Sequence, residues 1–158
     1  MYYLMISHSW SYQTHYNKIV EWLDDGLGEN NWHNYSISAD KPYTGLTDSE
    51  LKEKISYRIQ FCGAIIVLAG MYATYSSWID YEIDEAVRQN KVIIGVKPWG
   101  QERIPKKIQD NATVMVGWNK KSVVNAVKDY YGKNKTSADS EARAMEFYHH
   151  YSFISRYN

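Results

Sequence analysis

The chain has 158 residues, enough for one domain with a full hydrophobic core and too few for two ordinary domains. Its 18 basic and 18 acidic residues cancel, and no long run of one sign predicts a surface for nucleic acid or acidic lipid. We expect a cytoplasmic protein without membrane partners, because no segment approaches the roughly 18 apolar residues of a membrane span, the first residues lack a signal-peptide pattern, and one cysteine cannot form an internal disulfide.

Short apolar runs alternate with longer segments of helical period, which is the pattern of a parallel sheet wrapped by helices. The third and fourth runs are apolar without alternation, as expected for central strands that are covered on both faces. Cys62 lies beside the third run, so we expect a buried and unreactive thiol. The predicted strands are Tyr2 to Ile6, Tyr35 to Ser38, Ala64 to Leu68, Val92 to Val96 and Thr113 to Val116.

The first two helices are predicted between the first three strands. Tyr16 to Leu27 carries apolar side chains at helical spacing and ends near Gly28. The second helix is indicated by a capping box, in which the Thr47 hydroxyl and the Glu50 carboxylate satisfy free backbone amides. Apolar residues then recur every fourth position, which is typical of an amphipathic helix.

A third helix is predicted from about Ser77 to Gln89. Its apolar face is formed by Ile79, Ile83, Ala86 and Val87. Shorter helices after Gln101 and after Asn119 complete five β/α units. The pattern predicts an α/β fold of the doubly wound, flavodoxin-like type with a five-stranded parallel sheet.

The last part of the chain differs in composition from the rest. Residues 132–140 are polar and predict a linker. A helical tail is predicted after them, because one helical face would carry Ala144, Phe147, Tyr148, Tyr151 and Ile154. We therefore predict an α/β domain over residues 1–131, followed by a linker and helix over 132–158.

Ligands of open parallel sheets bind beyond the carboxyl ends of the strands, where the strand order reverses. In the flavodoxin-like order, that crevice lies between the loops after the first and third strands. The first loop contributes Ser7, His8 and Trp10, and the second leads through Tyr75 and Ser77 into the third helix. Both loops are rich in hydroxyl groups and aromatic rings.

Glu82 is the acidic residue that this geometry places nearest the crevice. It lies at the border of the apolar stripe, because successive helical residues are about 100° apart. Trp78, one turn earlier, lies on the same side, so an indole and a carboxylate flank one spot, which suits a polar ligand with a flat ring. Spacing alone leaves open a second interpretation, in which Glu82 is a solvated residue beside a packed tryptophan.

Four blocks of the sequence resemble, in the same order, the bacterial TIR-like family of antiphage defence that includes the Thoeris sensor. They are Leu4 to Trp10, Tyr35 to Ser38, Ile65 to Ile83 and Ile93 to Gly100. The most specific feature is the run Ser-x-Trp-x-x-x-Glu that ends at Glu82. The resemblance covers about residues 1–131 and implies a TIR-like version of the flavodoxin-like fold.

The resemblance implies an enzyme that uses NAD as substrate and no bound cofactor. TIR enzymes of this kind cleave the bond between nicotinamide and ribose, releasing nicotinamide and either ADP-ribose or a cyclised ADP-ribose signal. Their catalytic glutamate follows a tryptophan by four residues on the third helix and corresponds to Glu82 after Trp78. The loop from Asp40 to Leu46 corresponds to the region that gates the site in TIR domains.

We predict a substrate site around the catalytic Glu82. The tryptophans would form apolar walls, and the hydroxyls and amides would contact ribose or phosphate. The alternative role of His8 is to form a structural hydrogen bond. The alternative for Lys97 is a side chain that is merely solvated. The predicted substrate-binding residues are Ser7, His8, Trp10, Asp40, Tyr75, Ser77, Trp78 and Lys97.

The resemblance also implies partners. These are other copies of the chain through TIR contacts, a phage-derived trigger, and a separate effector reached by a diffusible nucleotide. Because some TIR domains act only by such contacts, a non-catalytic scaffold is the alternative function. A receiver domain lacks support, since Met5, Ile6 and Ser7 stand where its acidic residues would lie. No metal site is predicted, because the five histidines show no paired ligand spacing.

Overall fold

A computed structural model describes residues 1–7, 13–37, 45–97 and 103–133, with the side chains of residues 71–76 outside the description. Its five strands form one parallel sheet in the order β2-β1-β3-β4-β5, so the strand order reverses between β1 and β3. This is the predicted flavodoxin-like order. The strands are β1 (Tyr2–Ser7), β2 (Trp32–Asn34), β3 (Ala64–Leu68), β4 (Val92–Val96) and β5 (Val114–Val116).

Helices cover both faces of the sheet, and within the described residues none is long and apolar enough to cross a membrane. They are α1 (Gln13–Leu27), α2 (Asp48–Phe61), α3 (Tyr72–Arg88), α4 (Lys106–Asn111) and α5 (Lys120–Tyr130), with 3₁₀ turns at Glu29–Asn31 and Ala69–Met71. The buried side chains of α1 and α5 pack on one face, and those of α2, α3 and α4 pack on the other.

The two cores divide the side chains of β1 between them. Leu4 and Ile6 belong to the core under α1 and α5, whereas Tyr3 and Met5 belong to the core under α2 and α3. Successive side chains of a strand point to opposite faces, so Ser7 follows Tyr3 and Met5 toward α3. The end of β1 therefore presents a hydroxyl group to the helix that carries the predicted catalytic residue.

Two predicted helix boundaries are confirmed. At the start of α2, the Thr47 hydroxyl accepts the Glu50 amide at 3.3 Å and the Glu50 carboxylate accepts the Thr47 amide at 2.7 Å. At the end of α1, Gly28 has a φ of 92°, a conformation that side chains disfavour, and donates its amide to the Asp24 carbonyl at 2.9 Å.

The prediction of the second strand is wrong by three residues, because β2 ends where the predicted strand begins. The cause is a side chain that replaces backbone pairing. The Ser36 hydroxyl accepts the amide of Ile6 at 2.8 Å, and the Asn34 side chain accepts the Ser36 amide at 3.0 Å. The Tyr35 amide still donates to the Leu4 carbonyl at 2.8 Å, and at Ile6 the Ser36 hydroxyl takes the place of a backbone acceptor, so the ladder ends there. Arg58 of α2 holds this segment by donating to two successive carbonyls, those of Tyr35 and Ser36, at 3.0 and 2.8 Å.

The start of α3 is also corrected. The helix begins at Tyr72, directly after the 3₁₀ turn, and so includes residues that the prediction assigned to a loop. No glycine or proline interrupts the run from Tyr72 to Ser77. Val87, predicted on the apolar face, is 49% exposed, since Ile83 and Ala86 already fill the contact with the core. The predicted linker and tail helix lie almost wholly outside the described residues.

Candidate functional site

Glu82 meets Ser7 at the carboxyl end of β1. Ser7 is the last residue of the strand and pairs with Val67 of β3, so it lies where the strand order reverses. Its hydroxyl donates a hydrogen bond to Oε2 of Glu82. The contact joins residues that are 75 positions apart in the sequence and places a carboxylate at the predicted ligand crevice.

The carboxylate of Glu82 is held in an apolar setting. Glu82 is 8% exposed and lies on α3 beside Ile79 and Ile83, which are fully buried in the core. Burial raises the pKa of Glu82 to about 7, and the hydrogen bond from Ser7 opposes part of that rise. Within the described residues, no lysine, arginine or histidine forms an ion pair with Glu82. A buried acid of this kind is typical of functional sites.

The described residues predicted to bind substrate occupy different positions around Glu82. Trp78, one turn before it, is half-buried and packs against the core. Ser77 lies in the second turn of α3 and is exposed, so the prediction that it begins the helix is wrong. Lys97 directly follows β4, and its side chain is exposed. In the sheet, β3 lies between β4 and β1, the strand that ends at Ser7.

Four other predicted site residues cannot be placed around the carboxylate. His8, Trp10 and Asp40 lie outside the described residues, and Tyr75 is described only as part of the backbone of α3. Their roles therefore stay predictions. The described part of the site consists of the Ser7 hydroxyl, the Glu82 carboxylate and the flanking Trp78 indole.

A second buried carboxylate on α3, that of Glu85, was not singled out from the sequence. Glu85 is 6% exposed and accepts hydrogen bonds from Ser56 of α2 and from Arg88 and Gln89 of α3. These donors lower the pKa of Glu85 to about 2, with Arg88 contributing most. The spacing of Glu85 and Arg88, three residues apart on a helix, was the available sequence signal for this pair.

Within residues 1–7, 13–37, 45–97 and 103–133, neither the cysteine nor a metal-binding cluster offers a competing site. Cys62 is 2% exposed, which confirms the predicted burial, and burial raises the pKa of its thiol to about 12, in the direction that disfavours the reactive thiolate. Among the residues that the structure describes, no group of three metal-binding side chains is close enough to hold a metal ion.

A shallow groove of about 640 Å³ runs along α1, on the other face of the sheet from Glu82. Its lining is acidic and consists of Asn17, Val20, Glu21, Asp24, Asp25 and Glu29. Lys18 and Lys120 pair with two of these carboxylates, and the Trp32 indole donates to a third. Negative charge disfavours a phosphate-bearing ligand here, so Glu82 remains the candidate centre.

Comparisons with known proteins support the fold and the family. The sequence profile of the family described as Thoeris protein ThsB, TIR-like domain, matches residues 5–103. Among solved structures, the chain is similar to the Clostridium botulinum CMP N-glycosidase BcmB, with a TM-score of 0.52 and 15% identity, over 81% of this chain and 99% of that one. No curated protein matches the chain.

Proposed function

The chain belongs to the TIR-like domain family of the Thoeris protein ThsB, and we propose that it cleaves the bond between nicotinamide and ribose in NAD, with Glu82 as the catalytic residue. The observation that carries the proposal is a buried carboxylate, without a described cationic partner, at the point of the sheet where the strand order reverses. This is where open α/β sheets bind nucleotides.

The chemistry needs few groups from the protein. When the C1′–N bond breaks, nicotinamide takes both electrons of the bond and leaves as a neutral ring, so no acid is required to protonate it. The ribose is left with positive charge shared between C1′ and its ring oxygen, as in other glycosyl transfers. The ionised Glu82 would stabilise this charge and accept hydrogen bonds from the ribose hydroxyls.

The surroundings of Glu82 strengthen that effect. A negative charge acts more strongly on a developing positive charge where water is excluded, and Glu82 is 8% exposed. The half-buried Trp78, one turn earlier on α3, offers an aromatic surface on the same side of the helix. An indole at this position would contact the flat nicotinamide ring before it leaves.

A second candidate substrate is a pyrimidine nucleotide such as CMP. It is favoured by the fold shared with a CMP N-glycosidase and by the raised pKa of Glu82, about 7, which leaves part of the carboxyl group protonated at neutral pH. Cytosine carries no positive charge in CMP and departs more readily once protonated. Glu82 would then act as a general acid, and its protonated form would be the active one.

The proposal extends to the fate of the product. Attack of water on C1′ would release ADP-ribose, whereas attack by a hydroxyl of the same molecule would release a cyclised form. Either product is a diffusible nucleotide that a separate effector would bind in antiphage defence. Self-association through TIR contacts and a phage-derived trigger belong to the same proposal, which membership of the TIR-like family supports.

The test is nicotinamide release from NAD and cytosine release from CMP, measured by chromatography with concentrated protein and in lysate of phage-infected cells. We expect NAD cleavage by the wild type and a loss of about 10²- to 10³-fold in Glu82→Gln. Glu85→Gln is the matched control, because it removes a neighbouring buried carboxylate from the same helix.

Each alternative result has a distinct meaning. Cytosine release that depends on Glu82 would replace NAD by CMP as substrate. Equal losses in the two variants would attribute the effect to α3 as a whole rather than to Glu82. No release of either base by folded wild-type protein would overturn the proposal in favour of a non-catalytic scaffold.

A further inference from the structure

Ser7 was predicted to contact the substrate, but its surroundings indicate another role. The residue has no exposed surface, so its hydroxyl is not accessible to a ligand. A buried hydroxyl group requires a hydrogen-bond partner, and the partner of Ser7 is Oε2 of Glu82. Any influence of Ser7 on the reaction must therefore pass through Glu82.

We propose that Ser7 is a positioning residue, which holds Oε2 of Glu82 by donating its hydroxyl proton and leaves Oε1 as the oxygen that meets the substrate. Within the described residues, the Glu82 side chain accepts a hydrogen bond at Oε2, from Ser7, and accepts none at Oε1. A carboxylate held by one oxygen keeps its orientation, since rotation about the Cγ–Cδ bond of Glu82 would break the hydrogen bond between Ser7 and Oε2. This inference rests on the proposed function for its catalytic consequence.

The strand makes Ser7 a rigid support. β1 pairs with β2 on one side and with β3 on the other, and Ser7 itself is paired with Val67. The preceding residue, Ile6, donates its amide to the Ser36 hydroxyl at 2.8 Å. A side chain on a central strand fixed at both edges holds its partner more precisely than one on a loop does.

The same contact favours the ionised form of Glu82. Its neighbours on α3 are engaged elsewhere, since Glu85 pairs with Arg88 and Asp84 pairs with Lys107 of α4. On α2, Arg58 donates to backbone carbonyls. Lys97, after β4, is exposed. Ser7 is thus the group in the described part of the chain that lowers the pKa of Glu82 against the effect of burial.

Ser36 supplies a matched control for a substitution of Ser7. Ser36 is also buried, at 7% exposure, and its hydroxyl also contacts β1. The Ser36 hydroxyl accepts the Ile6 amide, and within the described residues it forms no hydrogen bond with Glu82. Ser36→Ala and Ser7→Ala each remove one buried hydroxyl group, but only the second removes a donor from the carboxylate.

The first measurement is the titration of the Glu82 carboxyl carbon by NMR in substrate-free protein, with the signal assigned by its loss in Glu82→Gln. We expect Ser7→Ala to raise the pKa of Glu82 by about one unit, because it removes a hydrogen bond to the charged form. We expect no shift in Ser36→Ala. An unchanged titration in Ser7→Ala, or equal shifts in the two variants, would overturn the inference.

The second measurement separates positioning from substrate binding. With NAD, Ser7→Ala should lower kcat by about 10²-fold and change KM by less than about threefold, because the binding surface is intact. A raised KM with unchanged kcat would show a substrate contact instead. Ser7→Cys, which keeps the shape and a weak donor, should recover part of kcat and serves as the test variant if Ser7→Ala does not fold. If the wild type does not cleave NAD, the proposed function fails, whereas the titration still decides the role of Ser7.

Discussion

Glu82 and Glu85 lie three residues apart on α3, and both are less than 10% exposed, yet their carboxyl groups have opposite properties. Glu85 faces α2 and accepts bonds from Ser56, Arg88 and Gln89, which lower its pKa to about 2. Glu82 faces the end of β1 and has one described partner, and burial raises its pKa to about 7. Burial alone does not make a carboxylate a candidate functional group, whereas burial with too few partners does.

The helix α3, which carries both carboxylates, is fastened to its two neighbouring helices. Glu85 joins α3 to α2, and a second bond between these helices runs from the Tyr81 hydroxyl to the Lys52 carbonyl at 3.0 Å. On the other side of α3, Lys107 of α4 pairs with Asp84 at 2.7 Å. The helix that carries Glu82 is therefore held from two sides, whereas the Glu82 carboxyl group itself is held by Ser7.

The largest expected difference between the two carboxylates concerns stability at alkaline pH. Because folding raises the pKa of Glu82 from its ordinary 4.5 to about 7, ionised Glu82 opposes folding, and Glu82→Gln should stabilise the protein by on the order of 3 kcal/mol at about pH 8. Glu85→Gln should destabilise it by about 2 kcal/mol, since a charged acceptor is lost. Urea unfolding of both variants measures the two changes, and changes of the same sign would contradict the comparison.

The two carboxylates should also affect stability in opposite directions as the pH changes. The folded protein binds the Glu82 proton more tightly than the unfolded chain does, so this residue costs stability as the pH rises from about 4.5 to about 7. Glu85 behaves in the opposite way: it contributes to the stability of the folded protein, and this contribution is lost as the pH falls from about 4.5 toward about 2. Unfolding at a series of pH values should show the gain in Glu82→Gln vanishing below about pH 4.5; a gain that persists there would have another cause.

The smallest expected effect is that of Arg88, the partner of Glu85. Its side chain is 67% exposed, so solvent screens the pair, and Arg88→Met should lower the urea midpoint at neutral pH less than Glu85→Gln does. The loss should shrink in concentrated salt, which already weakens the pair. We expect no change in the titration of Glu82. A shift of that titration would mean that the two carboxylates are coupled and do not titrate independently.

Much of the framework was predictable because it depends on local patterns. The bounds of β3 and β4 agree with the predicted strands, since runs without alternation mark strands that are buried on both faces. The start of α2 follows from four adjacent residues, Thr47 to Glu50. The border position of Glu82 also followed from helical spacing, and that position proved to be buried.

The features that were missed depend on contacts between distant parts of the chain. The end of β2 is decided by the Ser36 hydroxyl, which meets Ile6 across 30 positions. Ser7 is fully buried, and its hydroxyl meets Glu82 across 75 positions. The Glu85 pair with Ser56 joins residues 29 positions apart. Spacing within one helix or strand does not contain this information.

The claim that ionised Glu82 performs the cleavage is tested most directly by the pH dependence of kcat/KM for nicotinamide release from NAD, because this parameter follows ionisations of the free enzyme. We predict that kcat/KM rises with pH through a single ionisation and levels off above about 7, in step with the NMR titration of the Glu82 carboxyl in substrate-free protein. A kcat/KM that falls as the pH rises through about 7, or that stays constant while Glu82 titrates, would show that ionised Glu82 does not perform the cleavage.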